Sequence, residues 1–451
     1  MRVLLTVLFL SPSVAFADSA RQQLQDSAPE SARQTHVPAV PADQAVPGAV
    51  DQRLPNGTAE GIGLSHSGNP FDIPDFSLAE IAGILSKAGG THYRPHCPIN
   101  EAVPEISAET LARLKKAATD PAVLEAMTAD LAVNGRWDRM DGLVSNFSGA
   151  GIKLILVVGA GYRKEAPLFV MPDGAKDHVS PDRIGRDVYI AMARWIAGAA
   201  VRRYGDRVEF WQVENEINIA RMVSFIGWRV SERSWGDRKF LDALITGLAQ
   251  TVHAEGQRAG RPLKTTHNFA TDGTAWKDEV NAHAVPEETS QPVDVVKDIG
   301  VFAVHDLDIV GLDLYANYFT GWPMQDAKEG RVVADAVAAA GGRPVWVLEA
   351  GFPRAPGLKG FTEARQAEYF RKLFDASYRA GAKVILAFGW FWNPHGWYTD
   401  DPKPKPWWSP QACEQYWSPI SVKHNPDGSK NVHFGPALDE MKSASDRWLK
   451  K

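Results

Sequence analysis

Two glutamates stand where they could do chemistry together. Glu216 lies in RVEFWQVENEINIA (207–220), where a β-branched, aromatic and apolar run at 208–213 reads as a buried strand that stops at Glu214, Asn215 and Glu216. Glu349 lies in RPVWVLEAGFPR (343–354), a second short apolar strand at 345–348, followed by Gly351 and Pro353. A carboxylate at the C-terminal end of a parallel strand occupies the position at which barrel enzymes keep their reacting groups. One alone would suit a solvated strand–loop junction equally well. Two, about 130 residues apart in the chain, suggest a two-carboxylate site, in which one group handles a proton and the other stays an anion. Glu214 competes with Glu216, because residues two apart share an orientation while a strand stays regular.

The elements that must carry these residues alternate along the chain. Strands are predicted at 61–65, 91–95, 153–159, 208–213, near 263–269, 308–315, 344–349 and 383–390. Helices are predicted at 77–88, over most of 107–149, and at 184–205, 239–258, 291–303, 329–340, 362–381 and 435–449. Ser77 with Glu80 three residues on forms a capping box, Thr362 and Gly381 cap the helix between them, and Gly149 and Gly151 stop another. Trp137, Met140, Leu143, Val144 and Phe147 fall at helical spacing. Eight strand–helix repeats imply an α/β fold with a parallel sheet, closed as a single (β/α)8 TIM barrel rather than opened as a doubly wound sheet. A G-x-G-x-x-G after the first strand and a G-x-x-x-x-G-K-[ST] are both lacking, which removes the main support for a nucleotide-binding fold.

Length and composition set the bounds. The chain has 451 residues, 44% hydrophobic and 23% charged, enough for a full-sized core. A formal charge of −5 leaves no footprint for nucleic acid or an anionic membrane. Arg2, the apolar run 3–10 and Ala15-Phe16-Ala17 read as a signal peptide over 1–17, too short to span a bilayer, so the mature protein is expected to be exported, periplasmic or extracellular, with no membrane insertion. Residues 18–55 read as a flexible, disordered leader, and 56–451 as the barrel domain.

The Asn-Glu pair closing the fourth strand, the lone glutamate closing the seventh and Trp390 closing the eighth together resemble clan A of the glycoside hydrolases. THYRPHCPINEAVP is similar to that clan's second strand with an arginine. RWDRMDGLVSNFSGAGIKLILVVG resembles its passage from second helix to third strand, and LDIVGLDLYANYF its sixth strand with a tyrosine. The likeness spans about residues 60–445. It implies retaining hydrolysis of β-glycosidic bonds, with a carboxylic acid and a carboxylate about 5–5.5 Å apart. The resemblance assigns Glu216, the glutamate of the Asn-Glu pair, as acid/base and Glu349 as nucleophile, whose ionised charge helps keep a proton on Glu216.

Further roles follow from the same resemblance. Asn215 would donate to the sugar 2-hydroxyl, while Tyr315 and Arg94 would keep Glu349 ionised. Trp390 would floor the sugar site, and His267, Asn268, His92 and His96 are candidates for sugar hydroxyls. The expected partner is a β-linked oligo- or polysaccharide, with no cofactor and no metal, since neither H-E-x-x-H nor a His/Asp cluster occurs. A catalytically inactive, carbohydrate-binding barrel is the alternative. A lyase or aldolase would want a strand-end lysine, whereas Lys153 and Lys383 begin their strands.

Trp is abundant at 15 residues, and the segment 391–417 holds Trp392, Trp397, Trp407, Trp408 and Trp417 with no helical or strand period. It is expected to wall the substrate cleft and to offer a tryptophan to sugar rings. Cys97 and Cys413 are the only cysteines. Both should lie on the C-terminal face of a closed barrel, next to the first strand, and a disulfide between them is expected in an exported protein.

Overall fold

In the computed structural model, eight parallel strands close into a barrel in chain order: β1 (Gly61–His66), β2 (His92–Pro95), β3 (Lys153–Val158), β4 (Phe210–Val213), β5 (Lys264–Ala270), β6 (Ile309–Leu314), β7 (Val345–Ala350) and β8 (Val384–Phe388). β1 pairs with β2 on one side and with β8 on the other, so the sheet has no free edge. The structure describes residues 59–66, 71, 73, 75–95, 102–159, 167–170, 176–219, 234–271, 296, 299–300, 306–315, 328–352, 354, 362–390 and 417–449. The expected signal peptide and leader, His96, Cys97, Cys413 and Trp392, Trp397, Trp407 and Trp408 lie outside them, as does most of the helix expected at 291–303.

The helices pack outside this ring. α1 (Leu78–Lys87) begins with the expected capping box: Ser77 Oγ accepts from Glu80 N, and the Glu80 carboxylate accepts from Ser77 N at 2.8 Å. The segment 107–149 divides into α2 (Ala108–Ala117), α3 (Pro121–Asn134) and α4 (Asp138–Gly149), broken at Pro121 and Gly135. Trp137, Met140, Leu143, Val144 and Phe147 are all buried. α5 (Arg186–Tyr204) precedes β4, and α6 (Arg238–Arg258) precedes β5. α7 (Lys328–Ala339), α8 (Glu363–Arg379) and α9 (Ala437–Trp448) complete the outer layer among the described residues.

Alternation along the strands sorts the side chains into two cores. Outward-facing residues such as Leu154, Leu156, Val158, Trp211, Val213, Val310 and Leu312 join the large core beneath the helices. Ile155, Phe210, Ile309, Trp346, Leu348, Val384 and Leu386 form a separate apolar plug inside the barrel. Phe210 and Trp346 meet across the lumen with ring centres 4.8 Å apart, and His92 packs on both, at 5.9 and 5.7 Å. The plug fills the lower lumen, so the open end is the C-terminal mouth.

Two features were not expected from the sequence. Strands Glu105–Ile106, Leu168–Val170 and Lys176–His178 form a small sheet in the loops after β2 and β3. The segment after β8 ends in an antiparallel hairpin, β9 (Ile420–His424) and β10 (Lys430–Phe434). Most hairpin side chains are exposed or half-buried, so no apolar alternation marks these strands. Asp427-Gly428, with Gly428 at φ 82°, is the turn signal that could have revealed them.

Candidate active site

The junction after β4 places the two neighbouring glutamates differently. The regular strand ends at Val213, and Glu214 and Glu216 both adopt positive φ, 57° and 44°. This left-handed region is rare for residues with a Cβ and costs roughly 1–3 kcal/mol per residue. Neighbouring strands hold the turn in place. Glu214 N donates to Val158 O at 2.9 Å, Gln212 Nε2 to Glu214 O at 2.8 Å, and Glu216 N to Asn268 Oδ1 at 3.2 Å. With alternation lost, the side chains diverge. Glu214 is 1% exposed and lies over Gly159 at the end of β3, where an added Cβ would come within 2.6 Å of its carboxyl carbon. Glu216 is half-buried and reaches the carboxyl of Asp313 on β6.

Glu349 owes its direction to a second irregularity. Pairing between β6 and β7 runs Val347 to Leu312, then jumps to Glu349 opposite Asp313, so Leu348 is an extra residue. A bulge of this kind re-aims the side chains that follow it. Leu348 joins the inner plug, Glu349 also faces the lumen, and Ala350 returns to the outer core. Without the extra residue, alternation after Leu348 would turn Glu349 toward the helices.

Arg94 ties the mouth together. Fully buried, it donates through Nη1 to Glu349 Oε1 at 2.6 Å and to Ser65 Oγ at 2.7 Å. Its Nε donates to Gln212 Oε1 at 2.5 Å, and its Nη2 to Asn215 Oδ1 at 2.6 Å. Tyr315 OH donates to Glu349 Oε2, so each oxygen of that carboxylate has its own donor. Burial, followed by the charges of Glu349, Asp313 and Glu216, pushes the Tyr315 phenol well above its usual range and keeps it a donor. Asn215 Oδ1 also accepts from Asn268 Nδ2 at 2.8 Å, which turns the amide so that its NH2 end does the donating.

Four of the residues expected at the site therefore meet in one network with Glu349 and Glu216: Arg94, Asn215, Asn268 and Tyr315 bond through their side chains, and Glu216 joins by donating its backbone N–H to Asn268 Oδ1. Three others stand elsewhere. His267 is on the opposite face of β5 from Asn268; its Nδ1–H donates to Val213 O at 2.7 Å, and burial lowers it to about 4, so it is neutral near pH 7. Trp390 is buried with its edge on Phe370 of α8, ring centres 5.5 Å apart. His92 lies in the plug below Arg94, lowered by burial to about 3. Trp417, the described end of the tryptophan-rich segment, stacks on Tyr315 at 5.4 Å.

Sequence reasoning missed Asp313, Gln212 and Ser65. Gln212 Nε2 donates to Asn268 Oδ1 at 2.6 Å, joining the second, fourth and fifth strands. Asp313 is 1% exposed, bonded through Oδ2 to Asn268 Nδ2. Burial, then the charges of Glu349 and Glu216, raise it well above the usual carboxylate range against the pull of Arg94. A signal for it existed: Asp313 precedes Tyr315 by two residues and so shares its face.

The chain is similar in fold to two solved β-glucosidases. A β-glucosidase mutant derived from a hyperthermophilic tetrameric structure is 12% identical with a TM-score of 0.54, covering 83% of this chain and 84% of that one. The hyperthermophilic β-glucosidase from Pyrococcus furiosus is 12% identical with a TM-score of 0.52, over 83% of this chain and 84% of that one. At such identity the likeness speaks to the barrel alone. No protein-family model and no curated protein sequence matches the chain.

Proposed function

We propose that the protein is an exported glycoside hydrolase that cleaves β-linked glycans with retention, Glu216 serving as acid/base and Glu349 as nucleophile. The observation that carries this reading is the treatment of Glu349, which a bulge aims into the mouth and which Arg94 and Tyr315 grip at both oxygens, beside Asp313 and Glu216. The grip suits an anion that must attack in one direction. In the first step Glu349 attacks the anomeric carbon while Glu216 passes its proton to the departing oxygen. In the second, Glu216 takes a proton from water, which attacks the same carbon and releases Glu349 as carboxylate. The Asn215 NH2 would meet the sugar 2-hydroxyl, a bond that strengthens as positive charge develops on the ring. Export rests on the pattern of residues 1–17, and no described helix is long and apolar enough to cross a membrane.

One experiment separates the two glutamates. Aryl β-glycosides of glucose, galactose, mannose and xylose identify a sugar that the wild type cleaves. On the dinitrophenyl form of that sugar, Glu216→Ala should stall at the glycosyl-enzyme, and azide should restore turnover with a β-glycosyl azide as product. Glu349→Ala with azide should instead give the α-azide by direct displacement. A β-azide from Glu214→Ala in place of Glu216→Ala would overturn the acid/base assignment. A wild type that binds β-glycans yet hydrolyses none would make the barrel a binding module.

A further inference from the structure

We propose that Asp313 and Glu216 hold one proton between them, so that the acid/base of the reaction is this carboxyl pair rather than Glu216 alone. The inference rests on the acid/base role given to Glu216 above, and adds a positioning residue that acts through it.

Asp313 sits on the inner face of β6 between Ala270 of β5 and Glu349 of β7. It is 1% exposed, and only one of its oxygens is provided for, Oδ2 by Asn268 Nδ2. Oδ1 is buried and meets no hydrogen-bond donor. An unsatisfied buried polar atom costs roughly 1–3 kcal/mol, and more if it carries charge. The Glu216 carboxyl is the group within hydrogen-bonding reach of Asp313. Two carboxylates offer each other only acceptors. A bond exists between them once one carries a proton.

The charges around the pair favour that state. The groups facing Asp313 are Glu216 from the turn after β4, Glu349 from β7, Arg94 from β2, Asn268 from β5 and, from its own strand, Tyr315. Tyr315 is held neutral and Asn268 is uncharged, which leaves, among the described residues, three carboxyls and one guanidinium. Arg94 itself spends its donors on Glu349, Ser65, Gln212 and Asn215. Ionising both members would place like charges in contact in a buried site, and two carboxylates so placed share a proton rather than ionise together. The raised position of Asp313 agrees with this.

The proton balance through the cycle is closed. The pair begins with one proton and Glu349 ionised. That proton leaves through Glu216 to the departing oxygen while Glu349 forms the ester bond to the anomeric carbon and loses its charge, so the pair becomes doubly ionised only when its anionic neighbour is gone. Water then attacks, its proton returns to the pair, and Glu349 regains its charge as the ester bond breaks. Net charge in the mouth falls by none in either chemical step.

The test is the pH profile of kcat/KM for an aryl β-glycoside with a poor leaving group that the enzyme cleaves, in the wild type and in Asp313→Asn. Asparagine keeps the shape and can donate to Glu216, which favours ionised Glu216 and cannot share a proton. The alkaline limb should therefore move at least one pH unit toward acid, with the acid limb in place. With a dinitrophenyl leaving group, which needs no proton, the two profiles should coincide on the alkaline side. An unmoved alkaline limb in a folded variant would overturn the inference while leaving the azide result for Glu216 intact. Should Asp313→Asn fail to fold, Asp313→Ser is put through the same two profiles: an alkaline limb moved toward acid for the poor leaving group alone supports the pair, and one left in place refutes it.

Discussion

Along the inner face of the barrel strands, two or three residues separate a dry layer from a polar one. Phe210 and Gln212 follow each other on β4, His92 and Arg94 on β2, Trp346 and Glu349 on β7. The lower layer is apolar, apart from a neutral histidine, and its members need only volume from their neighbours. In the upper layer each polar side chain depends on named partners, so losing one strands several others. Stability should therefore be governed from below and chemistry from above, with Arg94 as the residue that crosses the boundary.

Arg94→Met gives the largest effect and challenges the division most directly. It leaves the Glu349 carboxylate buried without its cation, which should lower unfolding free energy by about 3–5 kcal/mol and remove activity together. Urea unfolding of the variant checks the first part. A variant that loses activity but keeps wild-type stability would show that the mouth contributes nothing to the fold. Leu386→Ala, in the plug, should cost about 2–5 kcal/mol in the same measurement, with kcat/KM on an aryl glycoside unchanged wherever the variant is folded. A large fall in kcat/KM would mean that the plug positions the site and the layers are not separable.

The smallest effect, counted per pH unit, is a weakening of the fold by acid. His92 at about 3 and His267 at about 4 are lowered by burial from 6.5. A base whose folded value is depressed supplies stability above its unfolded value and loses it as pH falls toward the folded one. Between pH 6.5 and about 4 each should weaken the fold by up to about 1.4 kcal/mol per pH unit. His92→Met should make the dependence of the urea midpoint on pH shallower over that window. An unchanged slope would place the sensitivity outside the plug.

Strand-end position and residue type can be read in one dimension, which is why Glu216, Glu349, Arg94, Asn215 and Tyr315 were visible as candidates before any fold was known. Direction was not. The sequence VWVLEA gives no sign that Leu348 and Glu349 both face inward, because a bulge arises from how β7 pairs with β6 rather than from its own pattern. The turn at Glu214–Glu216 is similar: two glutamates at positive φ are not predictable from propensity, and bonds from β3, β4 and β5 help to hold them there. His267 and Asn268 were equal candidates by sequence, and alternation on a strand of known register separates them. The hairpin β9–β10 escaped because solvent faces most of its residues.

The arginine at the boundary has one further consequence, in the order of folding. Its partners lie 29, 118, 121 and 255 residues away in the chain, at Ser65, Gln212, Asn215 and Glu349. Bonds over such separations form only after the intervening loops have closed. The pairing of β1 with β8 spans a longer stretch still, from Gly61 to Val384. Until that ring shuts, Arg94 and Glu349 have no fixed places in which to meet, and their hydration is better left intact. The site thus depends on the closed ring, and an assembled site implies that β1 and β8 have met in register.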